Sequence, residues 1–167
     1  MKKDNVILIG MPGSGKTTLV FQLAEHIGYG FIDSDDVIVA REGKTLPEII
    51  AEKGREGFLD VEAKVNSKLC AHRCVIATGG SVIYRASAMA KLKEMGTIVY
   101  LQLSYPLLAK RLGDLQARGV ALPDGFTLQD LYEERTPLYE KYADVIVSLD
   151  GKNLQTSLES LAEAIEK

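Results

Sequence analysis

Positive charge is not in surplus in this sequence: 20 lysines and arginines face 23 aspartates and glutamates, a formal net charge of −3. A chain with that balance cannot neutralise a nucleic-acid backbone or dock electrostatically on an anionic membrane, so neither is an expected partner. Long apolar runs are missing as well. The N-terminal run at 6–9 holds four residues, too few for a signal-peptide core or a membrane span, and a cytoplasmic protein is the expectation. Cysteine is scarce. Cys70 and Cys74 lie where a helical pattern gives way to a strand, with no histidine cluster to complete a metal site, so they read as buried free thiols. His26 and His72 lack the spaced partners of a triad or metal site and read as helix-end residues favoured by the dipole. Repeats and low-complexity segments are absent.

What is present suits a globular fold. With 167 residues, 46% hydrophobic and 26% charged, the chain can bury one full core, and a single domain over 1–167 is expected. Apolar, β-branched runs at 6–9, 75–77, 98–103 and 145–147 read as buried parallel strands, with 31–32 a shorter fifth. Helical patterns fill 16–27, 47–53, 58–71, 86–95, 106–112, 128–142 and 154–165, the first ending at Gly28 and the fourth at Gly96. Thr45-Leu46-Pro47-Glu48 has the form of a capping box with proline in the first turn, and Ser104 precedes a helix with Pro106 near its start. This alternation predicts a doubly wound α/β fold. Only 113–127 fits neither pattern; with Gly113, Gly119, Pro123 and Gly125 it reads as a mobile loop of the kind that serves as a lid.

The segment Gly10-Met11-Pro12-Gly13-Ser14-Gly15-Lys16-Thr17 fits G-x-x-x-x-G-K-[ST] and sits directly after a strand and at the opening of a helix. Glycines there let successive backbone N–H groups face inward, and the helix N-terminus adds its positive end at the same point. ATP would bind along Gly13 to Thr18, with Lys16 reaching the β- and γ-phosphates and the Thr17 hydroxyl coordinating Mg²⁺.

After the strand at 31–32 comes Asp33-Ser34-Asp35-Asp36, at the carboxyl edge of the sheet, where ligands bind in open α/β folds. Phosphoryl transfer to an alcohol needs a carboxylate to polarise the hydroxyl and a second one on the magnesium. Asp33 and Asp35 suit those tasks. Asp36 reads instead as an N-terminal cap for a helix at 37–41.

With the loop, the Asp33-Ser34-Asp35 step, Ala77-Thr78-Gly79-Gly80 and Glu134-Arg135-Thr136-Pro137-Leu138-Tyr139, the sequence resembles shikimate kinases nearly from end to end. The resemblance implies a P-loop kinase fold whose five-stranded parallel sheet has the order 2-3-1-4-5, flanked by helices and closed by a lid. It implies Asp33 on magnesium, Asp35 on the acceptor hydroxyl, and Gly79 and Gly80 against the substrate. It further implies Arg118 on the moving phosphoryl group, Arg111 stacked on adenine and Arg135 on the substrate carboxylate. A monomer acting on a small molecule in aromatic amino-acid biosynthesis is the corresponding expectation.

Three departures fall on the acceptor side. Leu59 stands where the family usually carries an arginine, which removes one charge-assisted contact and about tenfold to a hundredfold in binding. Arg55, one helical turn earlier, is either its replacement or a solvated surface residue. Ser81 replaces the third glycine of the family's triple, and of the usual lid wording only Arg118 survives. The expected activity is therefore ATP-dependent phosphorylation of a small hydroxylated carboxylic acid, shikimate first. A kinase for another hydroxyl acceptor and a non-catalytic nucleotide-binding regulatory module stand as alternatives.

Overall fold

The computed structural model describes residues 4–11, 16–111 and 125–166, with the side chains of Lys16, Thr17, Arg111 and Glu166 outside that description. Strands β1 (Asn5–Ile9), β2 (Gly30–Asp33), β3 (Cys74–Ala77), β4 (Gly96–Gln102) and β5 (Val145–Ser148) form one 5-stranded parallel sheet in the order β2-β3-β1-β4-β5. The helices are α1 (Lys16–Ile27), α2 (Ser34–Glu42), α3 (Leu46–Ser67), α4 (Ala86–Met95), α5 (Tyr105–Arg111), α6 (Leu128–Tyr142) and α7 (Leu154–Glu166). Strand β1 is apolar at Val6, Ile7, Leu8 and Ile9 because it pairs on both edges and is covered on both faces, so every residue in it is buried. Its neighbours on either side supply the rest of the main core, and a smaller cluster of Ile38, Leu46, Ile49, Phe58, Leu59 and Val65 lies between α2 and α3.

The capping box ahead of α3 is formed: the Glu48 amide donates to Thr45 Oγ1 at 3.3 Å and the Thr45 amide to Glu48 Oε1 at 3.0 Å. The two helices expected at 47–53 and 58–71 are present as two runs within the α3 span, separated at Gly54, which takes a non-helical φ 73° and ψ 179°; the second run begins earlier than expected, at Arg55, and ends at Ser67. Glycine reaches that left-handed φ without a Cβ clash, so the run is deflected and resumes at Arg55. The helix expected at 37–41 starts earlier, at Ser34, because Asp33 rather than Asp36 caps it. A short 3-10 turn at Val82–Tyr84, absent from the expectation, follows the glycine pair.

Gly96, expected to stop α4, is the first residue of β4 in an extended conformation, and a Cβ there would lie 2.2 Å from the Asn5 carbonyl oxygen. The close pairing of β1 and β4 is what calls for glycine. Buried Asn5 ties this end of the sheet together by donating to the carbonyls of Ala71 and Met95 at 2.9 and 3.0 Å and accepting from the Cys74 amide at 3.0 Å. The expectation of buried thiols is corrected: Cys70 is exposed and Cys74 partly buried, because the helix ends before Cys70 and leaves it in the surface connection to β3. His26 lies in the last turn of α1, whereas His72 lies outside any helix, 3.7 Å from the Asp4 carboxylate. Most of the loop read as a lid at 113–127, including Arg118, falls outside the described residues; Thr127 caps α6 through Asp130.

Candidate active site

The nucleotide side begins where β1 ends. Gly10 takes φ 150°, a conformation that side chains rarely adopt, as the chain leaves the sheet, and Met11 beside it is buried. Gly13, Ser14 and Gly15 lie outside the described residues; Lys16 and Thr17 open α1 and Thr18 is exposed on its first turn. Arg111 closes α5.

Asp33 ends β2 in register with Ala77 of β3, which is itself in register with Leu8 of β1. The acid therefore stands in the row of the sheet that precedes the turn at Gly10. Its Oδ1 accepts the Asp35 amide at 2.9 Å, the cap that starts α2. A hydroxyl at Thr17 and a carboxylate at Asp33 are hard oxygen donors that suit magnesium. Among the described residues no group of three or more His, Cys, Asp or Glu could hold a metal unaided. Such an ion would draw the rest of its shell from nucleotide phosphates and water, as magnesium commonly does.

A second cluster of functional groups is built around Gly79. A Cβ at that position would lie 2.6 Å from Glu62 Oε2 and 2.8 Å from Asp35 Oδ1, so two carboxylates from different helices converge on the backbone after β3. The glycine is needed because that space is already taken. Ser81, the departure from the glycine triple, donates its hydroxyl to Glu62 Oε1 at 2.6 Å. Glu62 is 1% exposed and its Oε2 is buried with no hydrogen-bond partner. Burial pushes its carboxyl up to about 7; the Ser81 hydrogen bond opposes that, the Asp35 charge adds to it, and Arg135 and Arg85 oppose it. Sequence reasoning missed Glu62, although a signal existed: it falls on the buried stripe of Phe58, Val65 and Asn66, where a glutamate needs a reason.

Beside this wall lie the arginines. Arg135 is 1% exposed on α6 and donates from Nε to the Tyr84 hydroxyl at 3.3 Å. Arg55 is not a fully solvated residue: its side chain is 26% exposed, its guanidinium carbon lies 4.9 Å from the centre of the Tyr84 ring, and its Nη2 is 3.8 Å from Glu134. It also pairs with exposed Glu56 at 2.9 Å. Tyr84 donates to Glu134 Oε1 at 2.5 Å. Thus α3, the 3-10 turn and α6 meet at one phenol, which the sequence alone did not single out. One turn beyond Arg135, buried Tyr139 donates to the Gly80 carbonyl at 2.5 Å, lies 3.9 Å from the Met11 sulfur and stacks on Tyr100 at 5.1 Å.

The family model for shikimate kinase matches residues 12–166. The chain belongs to the shikimate kinase family. It is 38% identical over 151 residues to the shikimate kinase of Trichormus variabilis, covering 89% of this chain and 82% of that one. It is 36% identical to that of Paracidovorax citrulli, covering 97% and 92%. The shikimate kinase of Acinetobacter baumannii, solved in complex with shikimate, superposes with a TM-score of 0.84 at 29% identity, covering 99% of this chain and 94% of that one. The chain is accordingly a phosphotransferase acting on a hydroxyl group, on a P-loop kinase fold, and shikimate kinases use ATP. Within that family, Leu59 is 1% exposed and packs in the core between α2 and α3, so it offers nothing polar to an acceptor.

Proposed function

We propose that this chain converts shikimate to shikimate 3-phosphate at the Gly79 wall, with ATP held along Gly13 to Thr18. The observation that carries the reading is the Asp35 carboxylate, 2.8 Å from the Cβ position of Gly79, at the same edge of the sheet where β1 opens into the phosphate-binding turn. Asp35 accepts the proton of the acceptor hydroxyl as its oxygen attacks the γ-phosphorus, and the bond from that phosphorus to the bridging oxygen breaks to release ADP. Lys16 and Arg118 meet the charge that develops on the transferred group, and Arg111 stacks on adenine. Magnesium held at Thr17 and Asp33 supplies charge neutralisation on the β- and γ-phosphates when bound. Gly79 and Gly80 allow close approach of the acceptor, and Arg135 with Arg55 grips its carboxylate.

The test is ADP release with shikimate and with a panel of hydroxy acids, sugars and nucleotides. Magnesium-dependent turnover with shikimate alone is expected; turnover only with another acceptor, or none, would overturn the reading. Arg55→Ala should raise the shikimate KM about tenfold with the KM for ATP unchanged. We also read the protein as a one-domain cytoplasmic monomer with a lid at 113–127. Among the described residues no helix is long and apolar enough to cross a membrane, and light scattering at the mass of one chain would support the monomer.

A further inference from the structure

Leu59 is buried in the core between α2 and α3, so the cation that α3 can offer to an acceptor is Arg55, and it serves there only if it is held in place. A long side chain with an exposed partner at Glu56, 69% exposed, would otherwise spend itself in solvent. The residue that opposes this is Tyr84. Its ring carries the Arg55 guanidinium at 4.9 Å, its hydroxyl accepts Arg135 Nε at 3.3 Å, and the same hydroxyl donates to Glu134, which lies 3.8 Å from Arg55. No other aromatic ring among the described residues carries both of these guanidinium groups.

We infer that Tyr84 is a positioning residue for acceptor specificity: its ring face holds Arg55 and its hydroxyl holds Arg135, so that the pair acts as a two-armed clamp for the acceptor's carboxylate. The inference rests on the acceptor reading given under the proposed function. The attraction of a guanidinium to an aromatic face is worth more where water is partly excluded, as at this half-buried ring. A ring-bound Arg55 also surrenders its rotamer freedom before the acceptor arrives, which lessens the entropy lost on binding.

Steady-state kinetics of the full chain with shikimate and with shikimate methyl ester, which lacks the carboxylate charge, test the assignment. Tyr84→Leu, which keeps apolar bulk but no aromatic face, is expected to raise the shikimate KM about tenfold, with kcat and the KM for ATP little changed. Tyr84→Phe keeps the ring that holds Arg55 but loses the hydroxyl that holds Arg135, and should fall between wild type and Tyr84→Leu. The ester, already lacking the group that is clamped, should lose little from Tyr84→Leu. Adding Tyr84→Leu to Arg55→Ala should raise KM less than Tyr84→Leu does alone, since the ring's share of its effect runs through Arg55 and only the hydroxyl's share, through Arg135, remains. An unchanged shikimate KM in Tyr84→Leu, an equal loss with the ester, or full additivity with Arg55→Ala would overturn the inference. If Arg55→Ala raises KM and Tyr84→Leu does not, the clamp stands and Tyr84 alone is excluded. Absence of shikimate turnover in the wild type would overturn the acceptor reading and this inference with it.

Discussion

Asp35 and Glu62 approach one another over Gly79, the first from the opening turn of α2 and the second from the middle of α3, with oxygens 2.8 and 2.6 Å from where that residue's Cβ would be. Two carboxylates this close disfavour one another's ionisation, and a buried one yields more readily than its neighbour. Burial holds the Glu62 carboxyl up, and the neighbouring Asp35 charge adds to that shift.

A methyl group at the centre of that pair should be poorly tolerated. Gly79→Ala places a carbon within 3 Å of two oxygens and is expected to reduce kcat/KM for shikimate by about a hundredfold or more, a loss on the order of 3 kcal/mol. Calorimetric binding of ATP should be little affected. Near-normal kinetics in Gly79→Ala would show that the two carboxylates do not converge as described.

The raised carboxyl of Glu62 makes a prediction with a definite sign. Its pKa rises from 4.5 to about 7 on folding, so the native state binds more protons than the unfolded state between those values. The associated stability is fully present below about pH 4.5 and is lost as the pH rises through about 7. Glu62→Gln, which can still accept from Ser81, should flatten that part of the profile and gain on the order of 2–3 kcal/mol at pH 8 relative to wild type. Thermal melts of both proteins across pH 4 to 8 supply the check, and parallel profiles would contradict it.

Asp35→Asn replaces the carboxylate proposed as proton acceptor with an isosteric amide. The expected outcome is a fall in kcat of about 10²–10⁴-fold with the KM for ATP unchanged. A variant that retained more than a tenth of the wild-type kcat would remove Asp35 from the chemistry.

At the far end of the sheet, Gly96→Ala should destabilise the fold without touching the site. Its Cβ would meet the Asn5 carbonyl oxygen at 2.2 Å, and β1 and β4 would have to part. A loss of about 2–4 kcal/mol in chemical denaturation is expected, with the KM values of the surviving folded protein unaltered. A loss below about 1 kcal/mol would show that the strands give way easily.

These cases also mark where the sequence was informative. The spans expected for α1, α4 and α6 coincide with the observed Lys16–Ile27, Ala86–Met95 and Leu128–Tyr142, and Gly28 and Gly96 announce the ends of the first two in the sequence itself. Five parallel strands followed from apolar runs of the right length; β1, β3 and β4 are largely buried and carry no alternation to misread, whereas the edge strands β2 and β5 leave Phe31 and Ile146 exposed. Gly96 was legible as the end of α4, which it caps, but not as the residue that clears the strand pairing with Asn5, and the break between 53 and 58 was legible but not its placement at Gly54. Both are set by contacts absent from the local chain. The placing of Asp33 and Asp35 at the sheet edge could be seen because strand and acids are adjacent. The meeting of Arg55, Tyr84 and Arg135 could not, because those residues are separated by long stretches of sequence and are joined only when three elements pack.

The bond from Tyr139 to Gly80 and its contact with the Met11 sulfur give α6 a mechanical meaning beyond the residues that it presents. The backbone beneath the acceptor and the first bend toward the nucleotide are both braced by one phenolic oxygen. Under the proposed function the donor and acceptor compartments share this anchor, so that the span a phosphoryl group crosses is gauged by one buried ring.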